Sequence, residues 1–430
     1  MNRLTTPWGD LGLTRFPELP RETLRAWDTA DEYLLQHLAG PGGDPSGPGQ
    51  PDPPADPTGS VVVVGDKWGA LTTALAVARD GRPVTGPLTQ ITDSYLTQQA
   101  TRANLRRAVA EGVLGAGPGA APDAEAGTEA GTDAGTDAGT DAVRLLSVRD
   151  TPPERIDVLL VRVPKSLALL EDQLHRLAPG VHPGTVVIGT GRVTEIHTST
   201  LKLFEQLIGA TRTSLAVRKA RLIFCAPAPS RVRSPSPWPH SYALPDGLGA
   251  VSGRTVVNHA GIFCAERLDV GTRFLLRHLP RRSGPEHVVD LGCGNGVVGT
   301  AAALDNPAAR ITFIDESFSA VESARMTFAK NVDAGTPAEF VIGDGLTDLP
   351  PGTADLVLNN PPFHTTHQAT TDATAWRMFT GSRAALRPGG ELWVVGNRHL
   401  GYHAKLRRLF GNCELVTSDP KFVVLRAVKR

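Results

Sequence analysis

No run of apolar residues in this chain approaches the ~20 that a membrane-spanning helix needs. Its opening, Met1-Asn2-Arg3-Leu4-Thr5-Thr6-Pro7-Trp8-Gly9-Asp10, has no apolar stretch of the kind that marks a secretory leader. Neither membrane insertion nor secretion is expected, and a cytoplasmic location is. Cysteine is scarce as well: Cys225, Cys264, Cys293 and Cys413 are the only four, and no CxxC pair occurs among them. A disulfide framework and a cysteine zinc site are thereby excluded, and the four read as reduced thiols. Net charge is also missing, since 44 Lys and Arg balance 44 Asp and Glu over 430 residues. No global field announces a polyanionic partner, so any basic surface must be local.

Two stretches cannot build a core. Residues 40–59 are dense in Gly, Pro and Asp, and 115–142 carries Ala-Gly-Thr-Glu followed by Ala-Gly-Thr-Asp repeats; both read as flexible surface insertions. A third irregular stretch, 226–253, contains Pro227, Pro229, Pro235, Pro237, Pro239 and Pro245 and reads as an interdomain linker. It separates a domain over 1–225 from one over 254–430.

Each half alternates strands with helices, the pattern of a mostly parallel sheet covered on both faces. In the second half, strands are expected at 287–291, 310–315, 338–342, 354–358, 391–395, 414–417 and 422–428, with helices at 297–304, 319–331, 372–386 and 399–410. The first half repeats the outline from Val61-Val62-Val63-Val64 onward. Its glycine loop is broken, with Gly65 and Gly69 alone, and it has Arg162-Val163-Pro164-Lys165 where the second half has Asn360-Pro361-Pro362-Phe363. The fold class expected is α/β: two tandem Rossmann-like folds, the first degenerate and serving recognition, the second catalytic on a mostly parallel seven-stranded sheet.

Chemistry concentrates in that second half. Asp290-Leu291-Gly292-Cys293-Gly294-Asn295-Gly296 ends one strand and opens a helix, where Gly292, Gly294 and Gly296 permit close backbone approach and leave helix N–H groups for a cofactor. Asp290 is expected to orient this loop, and Asp290 and Asn360 are counted with the glycines among the residues at the cofactor. Asp315, nineteen residues after Gly296, ends the next strand and can accept from ribose hydroxyls, and Asp344 can accept from an adenine amine. A nicotinamide site shares the first two features but leaves the Asn-Pro-Pro-Phe turn unexplained. That turn suits a flat group bearing an NH2: the Asn360 side chain and the Pro361 carbonyl accept its N–H bonds while Phe363 stacks on the ring. The cofactor implied is S-adenosylmethionine, and the reaction is methyl transfer to an exocyclic amine. His364 is a candidate contact to a phosphate or base edge; His364 and His367 have no third ligand nearby, so no metal is expected. Basic residues gather in the first half and linker, at Lys165, Lys202, Arg212, Arg218, Lys219, Arg221, Arg231 and Arg233. Arg162, Lys165, Arg218, Lys219 and Arg221 are the expected phosphate contacts.

The chain resembles the RlmG/RsmC family of bacterial ribosomal RNA guanine-N2 methyltransferases, which carry two tandem methyltransferase-like domains, and looks closest to the members acting on the large subunit. The resemblance is carried in order by Ala26-Trp27-Asp28, Asp93-Ser94-Tyr95-Leu96, Val163-Pro164-Lys165, Ile196-His197-Thr198, Asn258-His259-Ala260, Leu268-Asp269-Val270-Gly271, the glycine loop, Asp315-Glu316-Ser317, the Asn360 to His364 turn, Gly396-Asn397-Arg398-His399-Leu400 and Lys421-Phe422-Val423-Val424-Leu425. It implies a first domain that binds rRNA and a second that binds S-adenosylmethionine and methylates N2 of a 23S guanine; a monomer is expected. It also implies that Phe263, Asp269 and Gly271 help to cover the cofactor. A 16S guanine, adenine N6 in DNA, glutamine N5 in a protein, and a noncatalytic RNA-binding role stay open as alternatives.

Overall fold

The computed structural model describes residues 3–19, 22–40, 55–115, 142–228, 234–362 and 368–430. Both expected insertions fall largely outside these. The chain divides into two units, Met1–Ser236 and Pro237–Arg430.

The second unit is built on seven strands, His287–Leu291, Arg310–Asp315, Ala338–Ile342, Ala354–Asn359, Leu386–Asn397, Glu414–Ser418 and Phe422–Val428. Numbered in chain order, they lie 3-2-1-4-5-7-6, with the seventh antiparallel to both its neighbours. The first unit has Val61–Val64, Leu88–Thr92, Val143–Ser147, Ile156–Arg162, Val181–Arg192, Gly209–Thr213 and Ala220–Pro227 in the same order. Each sheet is preceded by a two-stranded hairpin, Arg3–Thr6 with Gly9–Gly12 and His240–Ala243 with Thr255–Asn258. One fold is present twice, down to its entry hairpin.

Central parallel strands are covered on both faces, so they read as unbroken apolar runs; Val61, Val62, Val63 and Val64 are all buried. In the second unit, Phe313 stacks on Phe340 at 4.9 Å and meets Phe328 edge-on at 5.5 Å. Gly299 lies against the same Phe313 ring, where any Cβ would collide. The helix Val297–Asp305 therefore sits close over the sheet and begins directly after the loop that leaves the first strand.

The expected 226–253 linker is only partly irregular. Strand Ala220–Pro227 runs into it, His240–Ala243 is a strand, and Leu244, Leu248 and Val251 are buried in the second unit's core. Its six prolines mask the short alternating segment that follows Pro239. Elsewhere the fifth strand begins at Leu386, ahead of Pro388-Gly389-Gly390, and the helix expected at 399–410 is a 3-10 turn over Arg398–Leu400 followed by Tyr402–Phe410.

Candidate active site

Gly292, Gly294 and Gly296 all have positive φ, at 70, 53 and 73°, a backbone region that an L side chain enters at a cost of about 1–2 kcal/mol. Gly296 is required on a second count. A Cβ there would come within 2.6 Å of the Ala324 Cβ, so the helix starting after Gly296 can pack this closely only because that position is bare. Around Gly294 the space is open, with nothing within 4 Å of where a Cβ would stand. The Gly294 N–H donates to the Asp315 Oδ2 at 3.0 Å, and the Ser317 N–H donates to its Oδ1 at 3.0 Å. Asp315 thus holds the loop, with lone pairs on both oxygens beyond those two bonds, while burial pushes its carboxyl pKa up.

Asp290 lies beneath the loop. Its Oδ2 accepts the Gly299 N–H at 2.8 Å, one of the helix-start donors without an intrahelical partner. Burial raises its pKa to about 7, and it is all but inaccessible. Asp344 forms an ion pair with Arg377, a partner that sequence spacing did not reveal.

Asn360 follows the tip of the fourth strand. Its Nδ2 donates to the Thr272 Oγ1 at 2.8 Å and lies 3.4 Å from the Asp269 Oδ2. Asp269 caps the helix Val270–Leu276, accepting the Thr272 N–H at 2.8 Å. The other end of the Asn360 amide, Oδ1, is buried with no hydrogen-bond partner among the described residues. A buried carbonyl oxygen without a donor is costly, by roughly 1–3 kcal/mol, and is an acceptor awaiting a donor. Pro361 is buried beside it. Gly271 is buried next to Thr272, and Phe263 is exposed on the preceding loop. Phe363 and His364 lie outside the described residues. Among those described, no His, Cys, Asp and Glu cluster could hold a metal, and no helix is long and apolar enough to cross a membrane.

Strand register identifies the equivalent positions in the first unit. Val64 pairs with Ile91 and Val161 as Leu291 pairs with Ile314 and Asn359. Arg162 thus stands where Asn360 does, Thr92 where Asp315 does, and Lys67 where Gly294 does. Gly65 and Gly69 keep the positive φ of their counterparts, at 74 and 77°. The Arg162 side chain is fully buried, held by Asp28 at 2.8 Å, Asp31 at 3.3 Å and Glu195 at 2.8 Å. Lys67 reaches Asp28 at 3.1 Å across the former cofactor loop. Burial alone would raise the Asp28 carboxyl, but Arg162 and Lys67 bring it down to about 2. Arg162 therefore cannot contact a phosphate, contrary to the sequence expectation: it sits at a strand end below the surface, its charge consumed by three carboxylates.

The other basic candidates stand differently. Val217 and Ala220 pair across a two-residue turn, N–H to O at 2.9 and 2.8 Å, and the turn is Arg218-Lys219 with φ of 47 and 65°. Hairpin turns of this form favour Asn-Gly, yet here two long cations occupy the left-handed positions. Both are exposed, Arg218 resting 3.3 Å from Glu32. Arg221 is half-buried on the adjoining strand, and Lys165 is exposed after the fourth strand. Arg231 and Arg233 lie outside the described residues.

An amide acceptor following the fourth strand separates this site from a nicotinamide site, which shares the glycine loop and the acidic strand end. The class so defined is that of the methyltransferases. The methyltransferase small domain family matches residues 253–426, and the RLMG N-terminal domain family matches 1–113 and 129–229. A "Ribosomal RNA large subunit methyltransferase G" of Streptomyces avermitilis is 64% identical over 99% of each chain, and one of Stutzerimonas stutzeri is 42% identical over 99% of each. Among solved structures, a T. thermophilus 16S rRNA N2 methyltransferase, RsmC, in complex with AdoMet and guanosine, is similar in fold, with a TM-score of 0.68 at 18% identity over 100% of this chain and 98% of that one. The chain belongs to the ribosomal RNA large subunit methyltransferase G family.

Proposed function

We propose that the protein methylates the exocyclic N2 amine of a guanine in 23S rRNA, with S-adenosylmethionine as methyl donor. The observation that carries this is the Asn360 Oδ1, buried and without a donor among the described residues. An aryl amine is a weak nucleophile because its lone pair is delocalised into the ring. Two fixed acceptors, the Asn360 Oδ1 and the Pro361 carbonyl, hold its N–H bonds in a plane that presents the lone pair to the methyl group. Phe363 stacks on the base and His364 contacts the flanking RNA. S-adenosylmethionine, when bound, supplies an electrophilic methyl on a cationic sulfur. Gly292, Gly294 and Gly296 admit it, the open space at Gly294 receives it, and Asp315 accepts from its ribose. Asp344 borders its base, and Phe263, Asp269 and Gly271 line the same end. The amine, cationic once methylated, loses its proton to water, so no general base is needed and Asp290 serves only to seat the helix.

The first unit recognises RNA. Two cations in strained positions at an exposed hairpin tip support this, since backbone strain of about 1–3 kcal/mol persists where function demands it. Lys165 and Arg221 join Arg218 and Lys219 as phosphate contacts. The base must be unpaired or extruded to enter the site, which favours rRNA stripped of ribosomal proteins. The enzyme acts in the cytoplasm as a monomer. Mapping N2-methylguanosine in 23S and 16S rRNA, with and without the gene, tests the assignment: one 23S position should lose its methyl group, and a loss confined to 16S would refute the choice of subunit.

A further inference from the structure

We infer that Thr272 is a positioning residue for the reaction, fixing which end of the Asn360 amide faces the substrate amine; the inference rests on the clamp role proposed for Asn360. A primary amide can turn by 180° about its last bond with little change of shape. One orientation offers an oxygen to the amine; the other offers an NH2 and sets donor against donor. Something must select between them.

The selection follows from a chain of hydrogen bonds. The Thr272 hydroxyl donates to the Asp269 Oδ2 at 3.2 Å. That carboxylate can only accept, so the hydroxyl proton is committed to it. What remains on the Thr272 Oγ1 is acceptor capacity, and the Asn360 Nδ2 fills it at 2.8 Å. The same Nδ2 also lies 3.4 Å from the Asp269 Oδ2. Turning the amide over would place its oxygen against a carboxylate and a hydroxyl with no proton to give. The orientation with Oδ1 turned away from Thr272 and Asp269 is thus enforced through Thr272.

The degenerate copy supplies an independent observation. Asp28 caps the helix Thr29–Ala39 as Asp269 caps Val270–Leu276, and Asp31 falls three residues after Asp28 as Thr272 falls three after Asp269. In both units these two positions grip the residue that follows the fourth strand's register position, Arg162 in one and Asn360 in the other. Where threonine is replaced by a second carboxylate, the gripped residue is a pure donor and offers no acceptor. The grip survives without threonine; the spare amide acceptor does not.

The test is a double-mutant cycle on the full-length enzyme, using 23S rRNA and S-adenosylmethionine. Thr272→Val removes the hydroxyl, keeps the shape and leaves the backbone N–H on Asp269. It should lower kcat roughly tenfold, the worth of about one hydrogen bond, with cofactor affinity unchanged. Thr272→Ser should restore most of the rate. In an Asn360→Ala background, Thr272→Val should have no further effect, because Thr272 acts through Asn360. Full activity in Thr272→Val, or an additive loss in the double mutant, would overturn the inference. Should Thr272→Val melt early, the Ser variant decides: a rate as low as that of Thr272→Ala would overturn it. An active Asn360→Ala enzyme would instead sink the clamp reading itself.

Discussion

Replacing Arg162 by Met separates a structural cation from an RNA contact. The side chain has no exposed surface and is surrounded by Asp28, Asp31 and Glu195 at 2.8, 3.3 and 2.8 Å. Met fills much of the volume but leaves three carboxylates facing one another, with the more exposed Lys67, beside Asp28 and 3.8 Å from Glu195, and Arg192, beside Asp28, as partial compensation. Removing one partner of a buried ion pair costs about 3–5 kcal/mol, a large share of the roughly 5–15 kcal/mol that holds a domain together. For a unit of this size that corresponds to roughly 6–20 °C in Tm. The pH dependence has two parts of opposite sign: burial raises the neighbouring Asp31 carboxyl to about 7, so its ionisation opposes folding as pH rises toward 7, while Asp28 acts the other way. Asp28 is depressed to about 2 in the folded protein, so it contributes stability above the ordinary carboxylate range that is lost as pH falls toward 2; in the Met variant most of this contribution should be gone. Hydrogen exchange at Val61–Val64 reports the first unit's stability directly, and protection there should drop in Arg162→Met. The slope of log RNA affinity against log salt should match wild type while the variant is folded. Unchanged protection, or a shallower salt slope, would refute the burial argument.

Replacing Arg218, Lys219 and Arg221 together by Ala should weaken 23S rRNA binding and spare cofactor binding, the salt slope falling by roughly 0.7–0.9 for each phosphate no longer neutralised; an identical slope would move the RNA site elsewhere. Asp315→Ala should weaken S-adenosylmethionine binding in calorimetry, and unaltered affinity would remove Asp315 from the cofactor site. Asp290→Asn should be more stable relative to wild type at pH 7 than at pH 4. Burial raises the Asp290 pKa to about 7, so its ionisation opposes folding by up to ~1.4 kcal/mol per pH unit across that window, and denaturation at the two pH values measures the difference.

The strands were legible wherever burial on both faces leaves an unbroken apolar run, as at Val61–Val64 and Val288-Val289, and the loop of the candidate site wherever a turn needs particular residues, as at Gly292, Gly294 and Gly296 with their positive φ. Side-chain partners across the fold were not. Arg162 at a strand end looks like any surface cation, because Asp28 is 134 residues away and Glu195 is 33. Thr272 was missed for the same reason, being 88 residues from Asn360. A signal did exist: Asp28 with Asp31 and Asp269 with Thr272 open corresponding helices in the two halves, and aligning the halves would have flagged them. The segment after Pro239 was hidden by its prolines, though the alternation in Ser241-Tyr242-Ala243-Leu244 is that of a short strand.

Single-turnover methylation of protein-free 23S rRNA by Asn360→Ala, set beside calorimetric binding of S-adenosylmethionine to the same variant, tests the clamp most directly. Removing one positioned acceptor should slow methyl transfer by ~10²-fold or more while cofactor affinity stays at the wild-type value. Transfer at the wild-type rate would contradict the role given to the Asn360 oxygen.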